Sequence, residues 1–233
     1  MLKRIVDVVA AVFGLALLSP LLCVVLFLIW KQDGHSPFYI ADRAGVGGKP
    51  FRMVKIRSMI VRADQTGVES TSASDNRITP VGHFVRRWKL DELSQLWNVL
   101  MGDMSLVGPR PNTMREVESY TPAERRLLSV RPGITDISSI VFSDEGDILK
   151  DAADPDRTYG EIIRPWKSRL GLVYVDHAGI LLDLRIVLLT IVAIVRKEAA
   201  LRGVAAILAN LNVEQTVRET ARRHSPLKPA ALP

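Results

Sequence analysis

The sequence predicts a mostly helical α+β protein that is attached to a membrane through its N-terminal segment. An apolar run covers residues 5–30, helical periodicity recurs through much of the remaining chain, and strand-like alternation is confined to short stretches near residues 37–56. The hydrophobic fraction of 48% and the mean hydropathy of +0.15 are high for a water-soluble protein. We therefore expect an N-terminal re-entrant helix-break-helix, a small cytoplasmic domain and amphipathic helices at the membrane interface.

The apolar run would extend about 39 Å as one straight helix, against about 30 Å for the hydrocarbon core of a bilayer. Ser19 and Pro20 interrupt it, and proline removes a backbone donor and clashes with the preceding turn. The arms before and after this break, about 21 and 15 Å long, are each too short to cross. We therefore predict a hairpin that breaks at Ser19 and Pro20, with a kinked transmembrane helix as the alternative.

Positive charge flanks both ends of this run, with Lys3 and Arg4 before it and Lys31 after it. Because cytoplasmic segments next to membranes are enriched in Lys and Arg, this symmetry favours both ends on the cytoplasmic side. A cleaved signal peptide is not expected, because the run is too long and no small-residue cleavage pattern follows it. The single cysteine, Cys23, lies inside the run and excludes a disulfide framework.

The residues after the anchor predict a hairpin and then a polar loop. Residues 37–40 and 51–56 have the pattern of strands around a glycine-rich turn at residues 44–49. The glycine spacing in that turn does not match a dinucleotide-binding loop. Residues 65–76 are small and polar, which is typical of a mobile loop.

Two carboxylates begin the next amphipathic helix. Leucines and other apolar residues recur at steps of three and four from Leu90 to Met101, so Asp91 and Glu92 fall in the first turn. Acidic residues there can simply complement the helix dipole. Arg86 and Lys89 crowd the same helix start, however, and cations at this place suit a phosphate ligand.

An arginine on a stiff turn completes this candidate phosphate-binding site. Pro109 and Pro111 restrict the backbone on both sides of Arg110. A guanidinium held in this way can contact phosphate oxygens at two points. A purely structural turn is the alternative, and Arg131 precedes a similar Pro-Gly turn further along the chain.

The C-terminal part predicts further helices. Residues 181–195 are strongly apolar, but their uninterrupted core is too short to span, so we expect an interfacial or packed helix. Residues 199–223 are expected to be helical and residues 224–233 disordered. The predicted division is a membrane hairpin at 1–32, a catalytic domain with interface helices at 33–198, and a C-terminal helix and tail at 199–233.

The block from Lys89 to Pro111 resembles the bacterial sugar transferase family, the monotopic phosphoglycosyl transferases. The resemblance implies that the chain transfers a sugar phosphate from a UDP-sugar to undecaprenyl phosphate and releases UMP, the first membrane step of a glycoconjugate or polysaccharide pathway. It also implies location at the cytoplasmic face of the bacterial inner membrane, in contact with its lipids.

The same resemblance implies roles for individual residues. Asp91 is the nucleophile that forms an aspartyl-phosphosugar intermediate. Asp91 and Glu92 are also the expected ligands of Mg²⁺, and Glu92 could instead manage a proton. Arg86, Arg110 and Arg131 are the expected phosphate contacts, with Lys89, Pro109 and Pro111 in the same donor site. Beyond Thr135 the chain departs from the common family pattern, since Asp136 stands where glycine is usual.

Two other classes of function remain open. The net charge of +6 fits any anionic partner, so the chain could be a membrane-tethered protein that binds lipid or a partner without catalysis. Nucleic acid is not expected, because aromatic and basic residues are not interleaved. Alternatively, Asp154 and Asp156 could bind metal in an ordinary nucleotide-sugar glycosyltransferase, although the surrounding residues favour a loop and a helix cap.

Overall fold

A computed structural model of the chain describes residues 1–66 and 70–233. It is mostly helical with two small pairs of strands, which confirms the predicted α+β class. The helices are α1 (Leu2–Asp33), α2 (Pro80–Arg87), α3 (Gln95–Met101), α4 (Met114–Glu118), α5 (Ile137–Val141), α6 (Glu145–Ile148), α7 (Pro155–Thr158), α8 (Arg164–His177), α9 (Ile180–Val195), α10 (Lys197–Asn210) and α11 (Gln215–Arg222). The strands are β1 (Phe38–Ala44), β2 (Pro50–Ile56), β3 (Ser105–Val107) and β4 (Gly133–Thr135).

Helix α1 continues through Pro20, so the predicted break into two arms is not seen. Proline cannot donate to the carbonyl four residues earlier, which belongs to Ala16. The Ser19 hydroxyl donates to that carbonyl at 2.8 Å, and so supplies the missing hydrogen bond. The resulting 32-residue helix, about 48 Å long, is long and apolar enough to cross a membrane by length and composition.

One face of α1 packs against the rest of the protein along most of its length. Ala11 packs with residues of β2 and α3, and Val25 and Ile29 pack with Ile56 and Val85. The remaining faces expose large apolar side chains: Ile5, Val9, Val12, Phe13, Leu17, Leu21, Val24, Phe27, Leu28 and Trp30. Helix α1 therefore has one face packed against the rest of the protein and a wide apolar surface that the protein does not cover.

The predicted hairpin is confirmed, and a second strand pair accompanies it. Strands β1 and β2 are antiparallel, with Phe38 opposite Ile56 and Ala44 opposite Pro50. Strands β3 and β4 form a short parallel pair that was not predicted. Part of the polar loop predicted at residues 65–76 lies outside the described residues, which omit 67–69.

The C-terminal half holds the largest core, which α5, α8, α9 and α10 build together. Helix α9 confirms the predicted apolar helix at residues 181–195, and it buries Leu182 and Ile186 on one side only. The helical stretch expected over residues 199–223 is interrupted between Asn210 and Gln215, so it forms α10 and α11.

The C-terminal tail at residues 224–233 has irregular backbone but is held against α8, in contrast to the disorder expected. The Trp166 indole donates to the Lys228 carbonyl at 3.1 Å, and Arg169 donates to the Ala231 carbonyl at 2.8 Å. These contacts anchor the tail on the side of α8. The tail does not line the large cavity described below.

Candidate active site

An open cavity of about 1570 Å³ is lined by most of the residues that the sequence analysis predicted to be functional. The hairpin, α2, α3, the turn after β3 and α9 all contribute to its walls. The predicted residues that line it are Arg86, Lys89, Asp91, Glu92, Arg110 and Pro111. Pro109 lies behind it, in a small pocket of about 40 Å³ that Arg110 also lines.

Arg131 is the predicted phosphate contact that does not line this cavity. Its side chain is exposed, and its Nε donates to the Gly102 carbonyl at 3.0 Å. The Pro-Gly turn after Arg131 instead brings Gly133 against Gly108, so tightly that a Cβ on Gly133 would lie 2.1 Å from the Gly108 nitrogen. This close contact fixes the start of the Pro109-Arg110-Pro111 turn, while the Arg131 side chain lies elsewhere.

Asp91 lies in a 3₁₀ turn, Leu90–Glu92, that leads into α3. Lys89 begins this turn in the left-handed backbone region, with φ of 55°, which is uncommon for a residue with a side chain. Asp91 is only 8% exposed, and its Oδ1 has no hydrogen-bond partner within the described residues. An unpartnered buried oxygen is costly in a folded protein, so the site is arranged for a ligand or a reaction.

Burial raises the pKa of Asp91 above the ordinary range of an aspartate, and the negative charge of Glu92 adds to this effect. Lys55, Arg86 and Lys89 act in the opposite direction. The carboxylate is therefore poorly solvated but surrounded by cations. A carboxylate in such surroundings is a better nucleophile than one that is fully hydrated.

Glu92 has a different environment because Arg110 holds both of its oxygens. Arg110 Nη2 lies 2.6 Å from Glu92 Oε1, and Arg110 Nη1 lies 3.1 Å from Oε2. Burial by itself would raise the pKa of Glu92, but Arg110, Lys55 and Lys89 together lower it to about 2. Arg110 also donates to the Ile134 carbonyl, so its guanidinium is fixed between two elements.

Lys55 lies beside both carboxylates, although it is not among the site residues predicted from the sequence. Lys55 is two residues after buried Met53 on β2, so both side chains leave the same, covered face of the strand. Burial lowers the pKa of Lys55, against the opposing charges of Glu92 and Asp91. No partner of its ammonium group is found in the part of the chain that the structure describes. The position of Lys55 two residues after an apolar residue, on the same face of the strand, was the available signal.

Gln95 is a second buried group without partners near Asp91. It is 0% exposed, and neither its Oε1 nor its Nε2 has a hydrogen-bond partner among the described residues. Leu93 and Ser94 keep right-handed helical backbone angles between the 3₁₀ turn and α3, so Gln95 lies about one turn after Asp91. Asp91 lines the cavity, whereas Gln95 does not.

Asp136 and the acidic pair at Asp154 and Asp156 have structural roles. Asp136 caps α5 by accepting from the Ser139 backbone nitrogen at 2.7 Å, which accounts for an aspartate at this position. Asp154 caps α7 in the same way through the Arg157 nitrogen, and this confirms the predicted cap. Asp156 lines the cavity, and its Oδ1 accepts from the Ser70 nitrogen at 2.7 Å.

The residues present fit a magnesium ion only if a substrate completes the site. No group of three or more His, Cys, Asp or Glu side chains that could hold a metal ion occurs within residues 1–66 and 70–233. Both oxygens of Glu92 are held by Arg110, whereas Asp91 offers an unpartnered oxygen. Magnesium commonly binds through one or two carboxylates together with substrate phosphates and waters. Asp91 therefore fits as a single protein ligand.

The fold and the cavity define a protein with an apolar N-terminal helix packed on a small α+β domain, and with buried carboxylates and cations in one open cavity. The family model for bacterial sugar transferases matches residues 1–197. The chain belongs to the bacterial sugar transferase family.

Curated relatives agree with this assignment. The chain is 39% identical over 147 residues to a putative undecaprenyl-phosphate N-acetylgalactosaminyl 1-phosphate transferase of Bacillus subtilis, covering 58% of this chain and 82% of that protein. It is 39% identical over 141 residues to a UDP-glucose:undecaprenyl-phosphate glucose-1-phosphate transferase of Caulobacter vibrioides, covering 59% of this chain and 53% of that protein. The uncharacterized sugar transferase EpsL of Bacillus subtilis is 33% identical, with 95% of each chain covered.

Several other curated relatives are considerably longer than this chain. The chain spans 41% of the galactosyl transferase CpsE of Streptococcus agalactiae and 31% of a UDP-galactose-lipid carrier transferase of Erwinia amylovora. The matched region in these proteins is therefore one part of a larger molecule.

Proposed function

We propose that this protein is a phosphoglycosyl transferase that moves a sugar phosphate from a UDP-sugar to undecaprenyl phosphate. The observation that carries the proposal is Asp91, a buried carboxylate with an unpartnered oxygen and with Lys55, Arg86 and Lys89 acting on its charge. The relative from Caulobacter vibrioides is named as a UDP-glucose:undecaprenyl-phosphate glucose-1-phosphate transferase, which supports the same substrate classes here.

The reaction proceeds in two displacements at one phosphorus atom. An oxygen of Asp91 attacks the phosphorus attached to the sugar, the bond from that phosphorus to the UMP oxygen breaks, and UMP leaves. A phosphate oxygen of the acceptor then attacks the phosphorus of the aspartyl-phosphosugar intermediate. The bond to Asp91 breaks, the carboxylate is regenerated and the product is a polyprenyl diphosphate sugar. Two steps in one cavity allow a water-soluble donor and a lipid acceptor to react in turn.

Basic side chains stabilise the charge that accumulates during each displacement. Arg86 and Lys89 lie on the side of the cavity where α2 ends, and Lys55 lies on the β2 side. Such preorganised cations favour the transition state of phosphoryl transfer. Magnesium, when bound to Asp91 and to the diphosphate oxygens of the donor, would neutralise further negative charge.

Glu92 and Arg110 have a positioning role in this scheme. Since Glu92 stays ionised over the physiological pH range and is paired with Arg110, it is a poor proton donor. Asp91 and Glu92 belong to the same turn. The Glu92–Arg110 pair therefore joins that turn to the Pro109-Arg110-Pro111 turn on the other side of the cavity. Arg110 remains able to contact a phosphate oxygen through the edge of its guanidinium that Glu92 does not use.

We propose further that α1 is immersed in the membrane from the cytoplasmic side and that both of its ends remain there. Near its start, Asp7 accepts from the Ser105 hydroxyl at 2.8 Å. At its end, Asp33 accepts from Arg57 at 2.6 and 2.7 Å. One folded domain thus holds both ends, and a helix that crossed the bilayer would place them on opposite sides.

Cysteine labelling tests this topology. In a Cys23→Ser background, Leu2→Cys and His35→Cys should both react with a membrane-impermeant maleimide in inside-out vesicles only. Labelling of the two positions from opposite sides would overturn the proposed immersion and support a spanning helix.

The catalytic proposal is tested by the intact mass of the detergent-solubilised protein after incubation with Mg²⁺ and a panel of UDP-sugars, without acceptor. A sugar-phosphate adduct on the wild type and its absence in Asp91→Asn are the expected results. Bound nucleotide without any adduct, for every donor in the panel, would remove the covalent role of Asp91.

A further inference from the structure

The mouth of the catalytic cavity carries a set of large apolar side chains that are exposed to solvent. We name these residues the apolar rim; they are Phe38, Ile60, Val61, Trp88, Ile191 and Ile194. Each lines the cavity, yet each is between 41% and 60% exposed. Isolated exposed apolar residues are ordinary, but six around one opening are a feature of binding surfaces.

The rim is assembled from separate parts of the chain. Phe38 begins β1, Ile60 and Val61 follow β2, and Trp88 ends α2. Ile191 and Ile194 belong to α9, where Val187 and Thr190 line the same cavity. Positions 187, 190, 191 and 194 follow the three- and four-residue spacing of one helix face. A stripe of α9 therefore faces the cavity while remaining open to the outside.

The interior of the cavity has the opposite character from its rim. Asp91, Glu92, Lys55 and Arg110 lie inside it, and Arg86 and Lys89 lie near them. A ligand that matches both regions needs an anionic phosphate for the interior and a long hydrocarbon for the rim. A nucleotide sugar has only the first of these, because its uridine and sugar are polar and hydrogen-bonding. A polyprenyl phosphate has both.

We infer that the apolar rim binds the isoprenoid units nearest the phosphate of the acceptor lipid. This inference rests on the proposed function, since it assigns a subsite for the second substrate of that reaction. The acceptor phosphate lies among the cations inside the cavity, and its chain leaves over Ile191 and Ile194 toward the membrane. Selection of the acceptor by its chain is then separate from binding of the donor.

Helix α9 offers a matched pair of double variants for a test. Ile191→Asn with Ile194→Asn removes the rim contribution of α9. Leu184→Asn with Leu188→Asn is the control, because Leu184 and Leu188 are 50% and 62% exposed on the same helix but do not line the cavity. Both double variants remove similar apolar area, so a general effect on folding or membrane attachment should appear in both.

The assay measures the two half-reactions separately in detergent micelles. The expected result for the rim variant is an unchanged rate of adduct formation from the UDP-sugar, together with a KM for undecaprenyl phosphate raised by about tenfold or more. The control variant should keep the wild-type KM. An unchanged KM in the rim variant, or an equal rise in both variants, overturns the inference. A slower adduct formation in the rim variant alone would assign the rim to the donor instead.

A second measurement does not depend on turnover. A photoreactive polyprenyl phosphate is crosslinked to Asp91→Asn protein, and the labelled peptides are mapped by mass spectrometry. Labelling within residues 187–197 and 58–62 supports the rim, whereas labelling confined to the outer face of α1 overturns it. If the wild type forms no adduct but labelling maps to the rim, the proposed function fails while lipid binding at this place stands.

Discussion

The pairing of Glu92 with Arg110 allows a quantitative test of how the site is held together. The pKa of Glu92 is about 2, against an ordinary value of 4.5. Each unit of pKa difference corresponds to about 1.4 kcal/mol, so the lowered pKa of Glu92 contributes about 3 kcal/mol to the free energy of unfolding at neutral pH. Arg110 is the strongest of the groups that lower this pKa. We therefore expect Arg110→Met to reduce the free energy of unfolding by about 2 kcal/mol at pH 7.

The sign of the pH dependence follows from the lowered pKa. A carboxylate that is more acidic in the folded state contributes its full stabilisation above pH 4.5 and loses it as the pH falls toward 2. The difference between wild type and Arg110→Met should therefore shrink below pH 4.5, by up to about 1.4 kcal/mol per pH unit. In thermal unfolding, 2 kcal/mol corresponds to roughly 4–8 °C for a chain of this size.

The control is Arg126→Met. Arg126 pairs with Asp176 at the surface, where their side chains are 54% and 43% exposed, and such pairs contribute about 1 kcal/mol or less. Tm is measured for the solubilised wild type and both variants at pH 7 and pH 3.5. Equal losses in the two variants at pH 7, or an Arg110→Met deficit that is the same at both pH values, would refute the buried-pair reasoning.

Three further predictions concern the pH dependence of adduct formation, the close approach of two backbone segments, and the metal requirement. Lys55→Met should shift the acidic side of the pH–rate profile for adduct formation to higher pH, because Lys55 lowers the pKa of Asp91. A profile that does not shift contradicts this. Gly108→Ala should lower Tm strongly, since a Cβ there would lie 2.3 Å from the Arg131 carbonyl oxygen, whereas Gly160→Ala, with nothing within 4 Å, should not. EDTA should stop adduct formation and Mg²⁺ restore it; an undiminished rate in EDTA would exclude the metal requirement.

Local patterns predicted much of this molecule. The periodicity from Leu90 to Met101 located α3, and strand alternation located the β1–β2 hairpin. The predicted helix start was too early, since α3 begins at Gln95 and Asp91 and Glu92 lie in a separate 3₁₀ turn before it. These features depend on residues close in sequence. The β3–β4 pair joins strands more than 20 residues apart, and each strand is only three residues long. Alternation cannot be recognised over three residues, so nothing in the sequence could indicate that pair.

The candidate site was predicted in composition but only partly in arrangement. Residue type directed attention to Asp91 and Arg110, and both line the cavity. That Arg110 binds Glu92 could not be read from the sequence, because it depends on how two turns approach each other in space. Arg131 shows the reverse case. The Pro-Gly turn that follows Arg131 forms the close contact between Gly108 and Gly133, and the Arg131 side chain does not line the cavity.

The packing of helix α1 would link its proposed depth in the membrane to the geometry of the site. Its buried face packs on α3, which continues directly from the turn that carries Asp91, and also on β2, which carries Lys55. Ion pairs and hydrogen bonds near both ends prevent it from sliding or tilting independently of the domain. A shift of α1 in the bilayer would therefore move Asp91, Lys55 and the apolar rim together. In the proposed immersion, the packing of this one helix would set the depth of the acceptor site. Cavity-creating variants at Val25 or Ile29 should therefore impair transfer to a membrane-embedded acceptor more than adduct formation from a soluble donor.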